Sequence, residues 1–391
     1  MESPDLLKDF ENMQHSQWEK WKRARSLVDN PARETVGFIE GPPTMNGESA
    51  YFLSINRNKK SIVINLKSEE GREIINKLIE RSDIIVENFR PGVPEKLGIS
   101  YDDARRIRPD IIYSSISGFG YNGSFRDRSG FDLSVMAFSG LMSITGEPGG
   151  RPVKFGVPIV DIVTGMFAAI SILAALRYRD ITGKGQFIDT AMIDSAVQIL
   201  THQATYYFAT GRNPERTGSA HASIAPYQAF RTRDGYIVVT AGTQKIWENL
   251  CKAIGMQDLI ADERFRTNEA RVKNRNELES LLEGYFTKRN TDDLYKILTE
   301  FGVPCSPVNS IGQALESEEV SSRNMVVELT SRLYGTIKTL GTPLKMDKSP
   351  GRIYRAPPAL GEDTMEIIRE LGYSGNKIKE LLDKKIIMSS I

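Results

Sequence analysis

The stretch that decides the fold is GGRPVKFGVPIVDIVTGMFAAISILAALRYRDITGKGQFIDTAMID, residues 149–194. It begins with a loop rich in glycine and proline, and from Asp161 to Leu176 almost every residue is apolar or small. A helix without a polar face has no side to present to water, so this pattern predicts a core helix buried on most sides. The run is shorter than the ~20 residues that a membrane span requires. We therefore expect an interior helix and no membrane partner.

Asp161 stands at the N-terminal end of this predicted helix. A carboxylate there can cap free backbone N–H groups and interacts favourably with the positive end of the helix dipole. Both effects favour the ionised form, and an ionised carboxylate beside an apolar wall is a usable nucleophile. The residues alone also allow the simpler interpretation, in which Asp161 is only the N-cap of the helix.

Length and composition are those of an ordinary globular protein. The chain has 391 residues, of which 40% are hydrophobic and 26% are charged. This length allows about two or three domains, or one large domain with a smaller one attached. The formal net charge of +1 provides no basic field, which argues against a nucleic-acid partner.

The few cysteines and histidines favour a cytoplasmic protein and argue against a metal site. Cys251 and Cys305 are too few for a disulfide framework, and residues 1–26 contain no apolar segment typical of a signal peptide. The three histidines and two cysteines are scattered, so we expect no metal site.

Strands and helices alternate between residues 54 and 120. Strand-like runs at 61–66, 83–89 and 110–120 are separated by a helix that opens at Ser68 and another at 101–107. This alternation predicts a parallel sheet in an α/β domain. Ligands of such sheets lie at the carboxyl ends of the strands, so the loops at 88–90 and 117–120 are candidate site loops.

The rest of the chain divides into further segments. We predict helices at 130–141 and 194–210, a strand at 186–191, a hairpin turning at Asp234–Gly235, helices at 244–255, 268–286 and 291–301, a strand at 304–309, and two C-terminal helices. The predicted domains are a charged N-terminal arm (1–40), a large α/β domain (41–210), a linker (211–226), a small domain (227–330), and a return linker with C-terminal helices that complete the large domain (331–391).

The stretch quoted above resembles the family III CoA-transferases, which include formyl-CoA transferase. Their signature is G-x-P-x-x-D, an Ala-rich helix, R-x-x-T-G-x-G-Q and a short strand. The matching residues here are Gly156, Pro158, Asp161, Arg179, Thr182, Gly183, Gly185 and Gln186. Four further stretches look like family signatures: VENFRPGVPEKLG (86–98), GFD (130–132), PYQAFRTRDG (226–235) and APPALGEDT (356–364).

The resemblance implies a fold. It is a Rossmann-like large domain formed by both chain ends, with a smaller inserted α+β domain, and two subunits interlocked like linked rings into a homodimer. Family members begin with a strand, an Ala-Gly-Pro loop and a strand ending in K-V-E-x-P, which together supply part of the CoA pocket. Residues 1–40 contain neither motif.

The resemblance also implies a reaction. CoA would move from an acyl-CoA, with succinyl-CoA favoured, to a small carboxylic acid through an aspartyl-CoA thioester on Asp161. The loop of Asn88, Phe89 and Arg90, together with Lys96, would bind coenzyme A. Gly218 and His221 lie in a loop expected to close over the substrate. From the residues alone, Phe89 could equally be a core residue, Lys96 a surface residue and His221 an ordinary loop histidine.

The sequence leaves two alternatives to a CoA-transferase open. An α-methylacyl-CoA racemase needs two opposed bases, but Phe131 occupies the position of its histidine, and no carboxylate occurs at 242–244 where its glutamate would fall. A non-catalytic CoA-binding relative is supported only by the atypical N-terminus.

Other charged residues near these motifs have simpler expected roles. We expect Asp132, Asp189 and Asp194 to be helix caps or structural pairs, and Arg126 and Arg128 to be solvated loop charges.

Overall fold

The computed structural model describes residues 44–45 and 48–389. The predicted arm at 1–40 lies outside them. The helices are α1 (Ala50–Ile55), α2 (Glu69–Arg81), α3 (Val93–Leu97), α4 (Tyr101–Ile107), α5 (Asp132–Phe138), α6 (Leu141–Ile144), α7 (Ile159–Thr182), α8 (Met192–Gln198), α9 (His202–Thr210), α10 (Gln244–Ala253), α11 (Asn268–Lys273), α12 (Arg275–Phe286), α13 (Thr291–Glu300), α14 (Ile311–Glu316), α15 (Glu318–Ser321), α16 (Thr364–Glu370) and α17 (Gly375–Asp383). The strands are β1 (Thr44–Met45), β2 (Glu48–Ser49), β3 (Val63–Ile64), β4 (Ile84–Glu87), β5 (Ile112–Ser117), β6 (Gln186–Ala191), β7 (Tyr227–Arg231), β8 (Tyr236–Thr240), β9 (Cys305–Pro307), β10 (Val326–Ser331), β11 (Gly335–Leu340) and β12 (Ile387–Met388).

The chain divides into two compact units. One contains the described residues up to Ile74 and those from Ile311 onward, and the other runs from Ile75 to Ser310. In the first unit, β3 pairs antiparallel with β12, and β10 pairs antiparallel with β11. The division into large domain, linker and small domain stays a prediction.

The second unit holds a parallel sheet with β5 at its centre. β4 and β6 flank β5 in parallel register, with Tyr113 of β5 opposite Phe187 of β6. Tyr113 and Phe187 pack with Ile79 of α2 and Ala104 of α4 in one buried cluster. The predicted parallel α/β sheet is therefore confirmed for the strands at 83–89, 110–120 and 186–191.

The strand predicted at 61–66 does not join this sheet. Only Val63 and Ile64 are extended, and they pair antiparallel with Ile387 and Met388 from the C-terminal end of the chain. The next residue continues this contact, because the Asn65 N–H donates to the Ile386 carbonyl at 2.7 Å. The partner of this short strand is more than 300 residues away, and no local pattern indicates such a pairing.

Helix α7 is the longest described helix and packs against β5, β6, α5 and α8. Its 24 residues extend beyond the predicted Asp161–Leu176 run at both ends, and Gly183 terminates it in the left-handed conformation. By length and composition alone this helix could cross a membrane, so the length argument against a span is wrong. Its contacts with β5, β6, α5 and α8 are those of a helix in a globular unit.

The expectation that α7 is buried on most sides is also wrong for the single chain. Ile162, Met166, Ile170 and Leu173 recur at helical spacing along one face, and each is exposed, with Leu173 at 66%. The opposite face is buried through Val160, Thr164, Ala168 and Ala175. Because the exposed residues are as apolar as the buried ones, composition could not distinguish the two faces.

Two long predicted helices are each broken in two. The helix expected at 194–210 is interrupted before His202, where Thr201 has a φ of 46°. The helix expected at 268–286 is interrupted at Asn274. Neither break coincides with a glycine or proline, which explains why the sequence predicts continuous helices.

Within the second unit, β7, β8 and β9 form an antiparallel sheet with α10 to α13. The predicted hairpin at Asp234–Gly235 is confirmed. Phe230, Trp247 and Phe286 are fully buried in its core. The largest buried polar group there is Arg271, which is 1% exposed and donates to the carbonyls of Ala225 at 2.7 Å and Phe265 at 2.9 Å.

Replacing Arg271 with methionine should destabilise the fold by about 3 kcal/mol, because buried carbonyls would lose their donor. Urea unfolding followed by circular dichroism would measure the difference. The matched control is Arg266→Met, which removes an exposed ion pair to Glu263 and should have little effect. Equal stabilities for the two variants would contradict the structural role of Arg271.

Candidate active site

The N-terminus of α7 is held by a residue from another helix. The helix begins at Ile159 after Pro158, and Pro158 makes no side-chain cap. Instead, the Oδ1 atom of Asp132 on α5 accepts a hydrogen bond from the Val160 N–H at 2.8 Å. The prediction that Asp161 caps this helix is therefore wrong, and the prediction of a capping role is confirmed for Asp132.

Asp161 is the third residue of α7, and it is accessible in the single chain. Its pKa is raised from 3.8 to about 6, mainly because surrounding protein removes water from the carboxylate and also because Asp132 is negatively charged. The expectation that the helix end favours ionisation is thus overturned, since desolvation and a like charge outweigh the helix dipole. A carboxylate with a raised pKa is more basic, which favours nucleophilic attack.

Asp161→Asn should stabilise the fold, and the gain should depend on pH. The folded protein binds a proton at Asp161 more tightly than the unfolded chain does, so the stability from this group is present at low pH and is lost as the pH rises through about 6. Asparagine stays neutral throughout. Urea unfolding should show a difference that is small near pH 4 and largest above pH 6. A pH-independent difference would contradict the raised pKa.

The loop after β4 lies at the carboxyl edge of the parallel sheet. The Asn88 side-chain amide donates to the Ile116 carbonyl of β5 at 2.6 Å, and the Phe89 N–H donates to the Glu87 carboxylate at 2.7 Å. Phe89 is 40% exposed, so it is not the core residue that the simpler interpretation allowed. Arg90 reaches the Ser129 hydroxyl, to which it donates at 2.7 Å.

Lys96 lies on α3 and is exposed, as either interpretation of that residue allowed. The structure thus brings Asn88, Phe89 and Arg90 to the sheet edge where ligands of parallel sheets bind, with Lys96 on the short helix that follows.

The second loop at this edge carries Arg128, which contacts two aromatic rings. Arg128 lies between two aromatic rings, with its guanidinium carbon 4.9 Å from the ring centre of Phe119 and 4.8 Å from that of Phe138. Gly118 and Gly130 approach each other so closely that a Cβ on either would meet backbone, which fixes this loop against the end of β5. Arg128 is exposed, which agrees with the prediction of a solvated loop charge, and its guanidinium also contacts two rings from separate segments.

Gly218 lies beside the loop that precedes α7. Its N–H donates to the Gly146 carbonyl at 3.0 Å, and its φ is +61°. The Glu147 carboxylate occupies the space that a Cβ at this position would need. The carboxylate end of Glu147 can move, so the preference for glycine comes mainly from the positive φ, a backbone conformation that L side chains rarely adopt.

The His221 ring is engaged within its own loop. Its Nδ1 accepts from the Ser223 N–H at 3.2 Å, and the ring lies 5.3 Å from the ring of Tyr227. These contacts fit the simpler interpretation of His221 as a loop residue, although they leave its predicted role untested.

Three side chains of α11 and α12 hold this loop, and the sequence analysis missed all three. Asn268 donates to the Ser223 carbonyl at 2.8 Å, Arg271 to the Ala225 carbonyl, and Arg275 to the His221 carbonyl at 2.6 Å. Their near-helical spacing, i, i+3 and i+7, is the signal that could have suggested a shared face. The loop is thereby tied to the small antiparallel sheet and its helices.

In the part of the chain that the structure describes, no group of three or more His, Cys, Asp or Glu residues could hold a metal ion. A cavity of about 620 Å³ in the first unit is lined by residues such as Arg332, Tyr354 and Arg369, and none of the predicted site residues contributes to it.

Comparison with known proteins identifies the class of enzyme. The profile of CoA-transferase family III matches residues 28–364. Mouse succinyl-CoA:glutarate CoA-transferase is 40% identical over 348 residues, covering 89% of this chain and 80% of that protein. The succinate–glutarate CoA-transferase of Agrobacterium fabrum is 36% identical, covering 85% and 84%. A CaiB/BaiF family protein from Brucella suis has a solved structure with a TM-score of 0.77 and 38% identity, covering 83% and 84%.

The chain therefore belongs to CoA-transferase family III and is an acyl-CoA transferase. The family predicted from the motifs around Asp161 is confirmed, and so is the mixed α/β fold with its parallel sheet. The mouse and Agrobacterium relatives are named as CoA-transferases that act with succinyl-CoA or succinate and with glutarate.

Proposed function

We propose that this enzyme moves CoA from succinyl-CoA to a second dicarboxylic acid, with Asp161 as the nucleophile. The observation that carries this proposal is the state of Asp161. It is an accessible carboxylate in the first turn of α7, and its pKa of about 6 leaves it ionised yet basic at neutral pH. It also occupies the aspartate position of the family signature around residues 156–186.

The reaction proceeds through covalent intermediates on Asp161. The Asp161 carboxylate attacks the carbonyl carbon of the acyl-CoA, the C–S bond breaks, and a mixed anhydride and the CoA thiolate form. The thiolate then attacks the Asp161 carbonyl carbon, which releases the donor acid as a carboxylate and leaves an aspartyl-CoA thioester. The acceptor carboxylate reverses both steps, so that one difficult exchange becomes several easier ones.

Backbone donors at the start of α7 can stabilise the oxyanions that form in these steps. The N–H of Val160 is occupied by Asp132, whereas the N–H of Asp161 donates to no group among the described residues. A free N–H at the positive end of a helix is suited to a developing negative charge.

CoA binds along the carboxyl edge of the parallel sheet. The exposed face of Phe89 can stack on the adenine, and the guanidinium of Arg90 and the ammonium of Lys96 can meet phosphates. The loop from Gly218 to Ala225 closes over the acyl group and excludes water, because both covalent intermediates hydrolyse readily. The names of the relatives support succinyl-CoA as donor and glutarate as the first acceptor to test.

The exposed apolar face of α7 supports the homodimer that the resemblance implies. Isolated apolar residues are common on protein surfaces, but a row that covers several helical turns marks an interface. The partner that covers this face is a second copy of this chain, since soluble homo-oligomers bury such faces symmetrically.

Incubation with succinyl-CoA should add the mass of one CoA group to the protein, and hydroxylamine should remove it. Peptide mass spectrometry should locate the group on Asp161. Asp161→Asn should abolish both the adduct and glutarate-dependent turnover. Asp180→Asn is the matched control, because it changes an exposed aspartate near the other end of the same helix. An adduct that persists in the Asp161 variant would refute the assignment.

Analytical ultracentrifugation should show a dimer that Leu173→Glu converts to monomer. Tyr236→Glu changes an exposed apolar residue of the hairpin instead and should leave the dimer intact. If the subunits are interlocked, tagged and untagged dimers should exchange only after unfolding and refolding. A monomeric wild type, or wild-type protein that floats with lipid vesicles through α7, would contradict the dimer.

A further inference from the structure

Asp132 of α5 places a second carboxylate at the start of α7, where its charge acts on Asp161. Asp132 bonds to the N–H of Val160, the residue immediately before Asp161. Val135 and Met136 of α5 lie with Val160 in one buried cluster, so α5 cannot shift without disturbing this packing. The proximity of Asp132 to Asp161 is therefore a property of the core and not of a mobile loop.

Within residues 44–45 and 48–389, no cation lowers the pKa of Asp161. The elements packed on α7 contribute three acidic groups: Asp132 from α5, Asp189 from β6 and Asp194 from α8. The Asp189 carboxylate accepts the Tyr121 N–H at about 3 Å. Among the described residues, Asp132 is the one charged side chain that acts on the pKa of Asp161.

A charge placed in this way affects the covalent intermediates differently from the free enzyme. Ionised Asp161 is repelled by Asp132, but Asp161 carries no charge once it is part of an anhydride or a thioester. Acylation therefore relieves the repulsion, and the covalent CoA intermediate is stabilised relative to the enzyme with a free Asp161 carboxylate. Protonation of Asp161 relieves it in the same way, so both equilibria measure the same interaction.

We propose that Asp132 is a positioning residue that holds the first turn of α7 in place and, through its negative charge, shifts the equilibrium of Asp161 toward the covalent CoA intermediate. This inference rests on the proposed function of Asp161 as nucleophile. It concerns the reaction in which enzyme and succinyl-CoA give the aspartyl-CoA thioester and succinate, with no other reactant.

The direct test is the equilibrium constant of that half-reaction. Wild-type protein is mixed with succinyl-CoA and excess succinate at pH 8, and intact-mass spectrometry gives the fraction carrying CoA. Asp132→Asn keeps an oxygen acceptor for the Val160 N–H and removes the charge. The pKa of Asp161 rises from 3.8 to about 6, and burial is the larger cause. The charge of Asp132 therefore accounts for less than half of this rise. Its removal should lower the equilibrium constant by up to about tenfold.

The matched control is Asp234→Asn. Asp234 also caps a helix from outside, because its Oδ1 accepts the Thr291 N–H at the start of α13 at 2.9 Å. Its replacement should leave the equilibrium constant unchanged. Asp132→Ala removes both the charge and the acceptor, so it should lower the equilibrium constant as Asp132→Asn does and also slow the formation of the adduct.

A second readout does not depend on catalysis. A water-soluble carbodiimide labels the protonated form of Asp161, and peptide mass spectrometry measures the extent of labelling at each pH. The midpoint of this pH curve should move to lower pH in Asp132→Asn. Unchanged midpoint and unchanged equilibrium constant would overturn the inference while the proposed function stands. If wild-type protein forms no adduct although the labelling midpoint shifts, the proposed function fails and the electrostatic link between the two carboxylates remains.

Discussion

The hydrogen bond between Asp132 and the Val160 N–H anchors the end of α7 that carries Asp161, the centre of the proposed site. It joins two helices that also pack through Val135, Met136 and Val160, and it sets where α7 begins. The position of Asp161 depends on the register of α7, because a shift of the helix by one residue would turn its side chain by about 100°. This polar contact and the packing beside it thereby help to fix where the Asp161 carboxylate lies.

The electrostatics of this helix end show how a general rule can be reversed by local surroundings. The positive end of a helix favours a negative side chain, by roughly 0.3–1 kcal/mol at exposed positions. At Asp161 the loss of water and the charge of Asp132 act in the opposite direction and prevail. The helix end still matters, since it supplies N–H groups, but Asp132 takes one of them and limits how far they can stabilise Asp161 itself.

The remaining parts of the site are built from loops whose shape is determined by distant partners. Asn88 fixes one loop to β5, and the close approach of Gly118 and Gly130 fixes a second. The loop around Gly218 is held at one end by the Gly146 carbonyl and at the other by Asn268, Arg271 and Arg275. These loops thus become ordered because their backbone groups form hydrogen bonds to helices and strands.

By itself, the sequence determined most of the strands and helices, the parallel sheet apart from its expected first strand, and the enzyme family. These follow from periodicity and from motifs such as the residues around Asp161, which are local and can be recognised without coordinates. Tertiary structure alone decided that Asp132, and not Asp161, caps α7, that Arg128 lies between two rings, and that one face of α7 is exposed. The reason is physical: protonation, capping and burial depend on neighbours that are close in space but far apart along the chain.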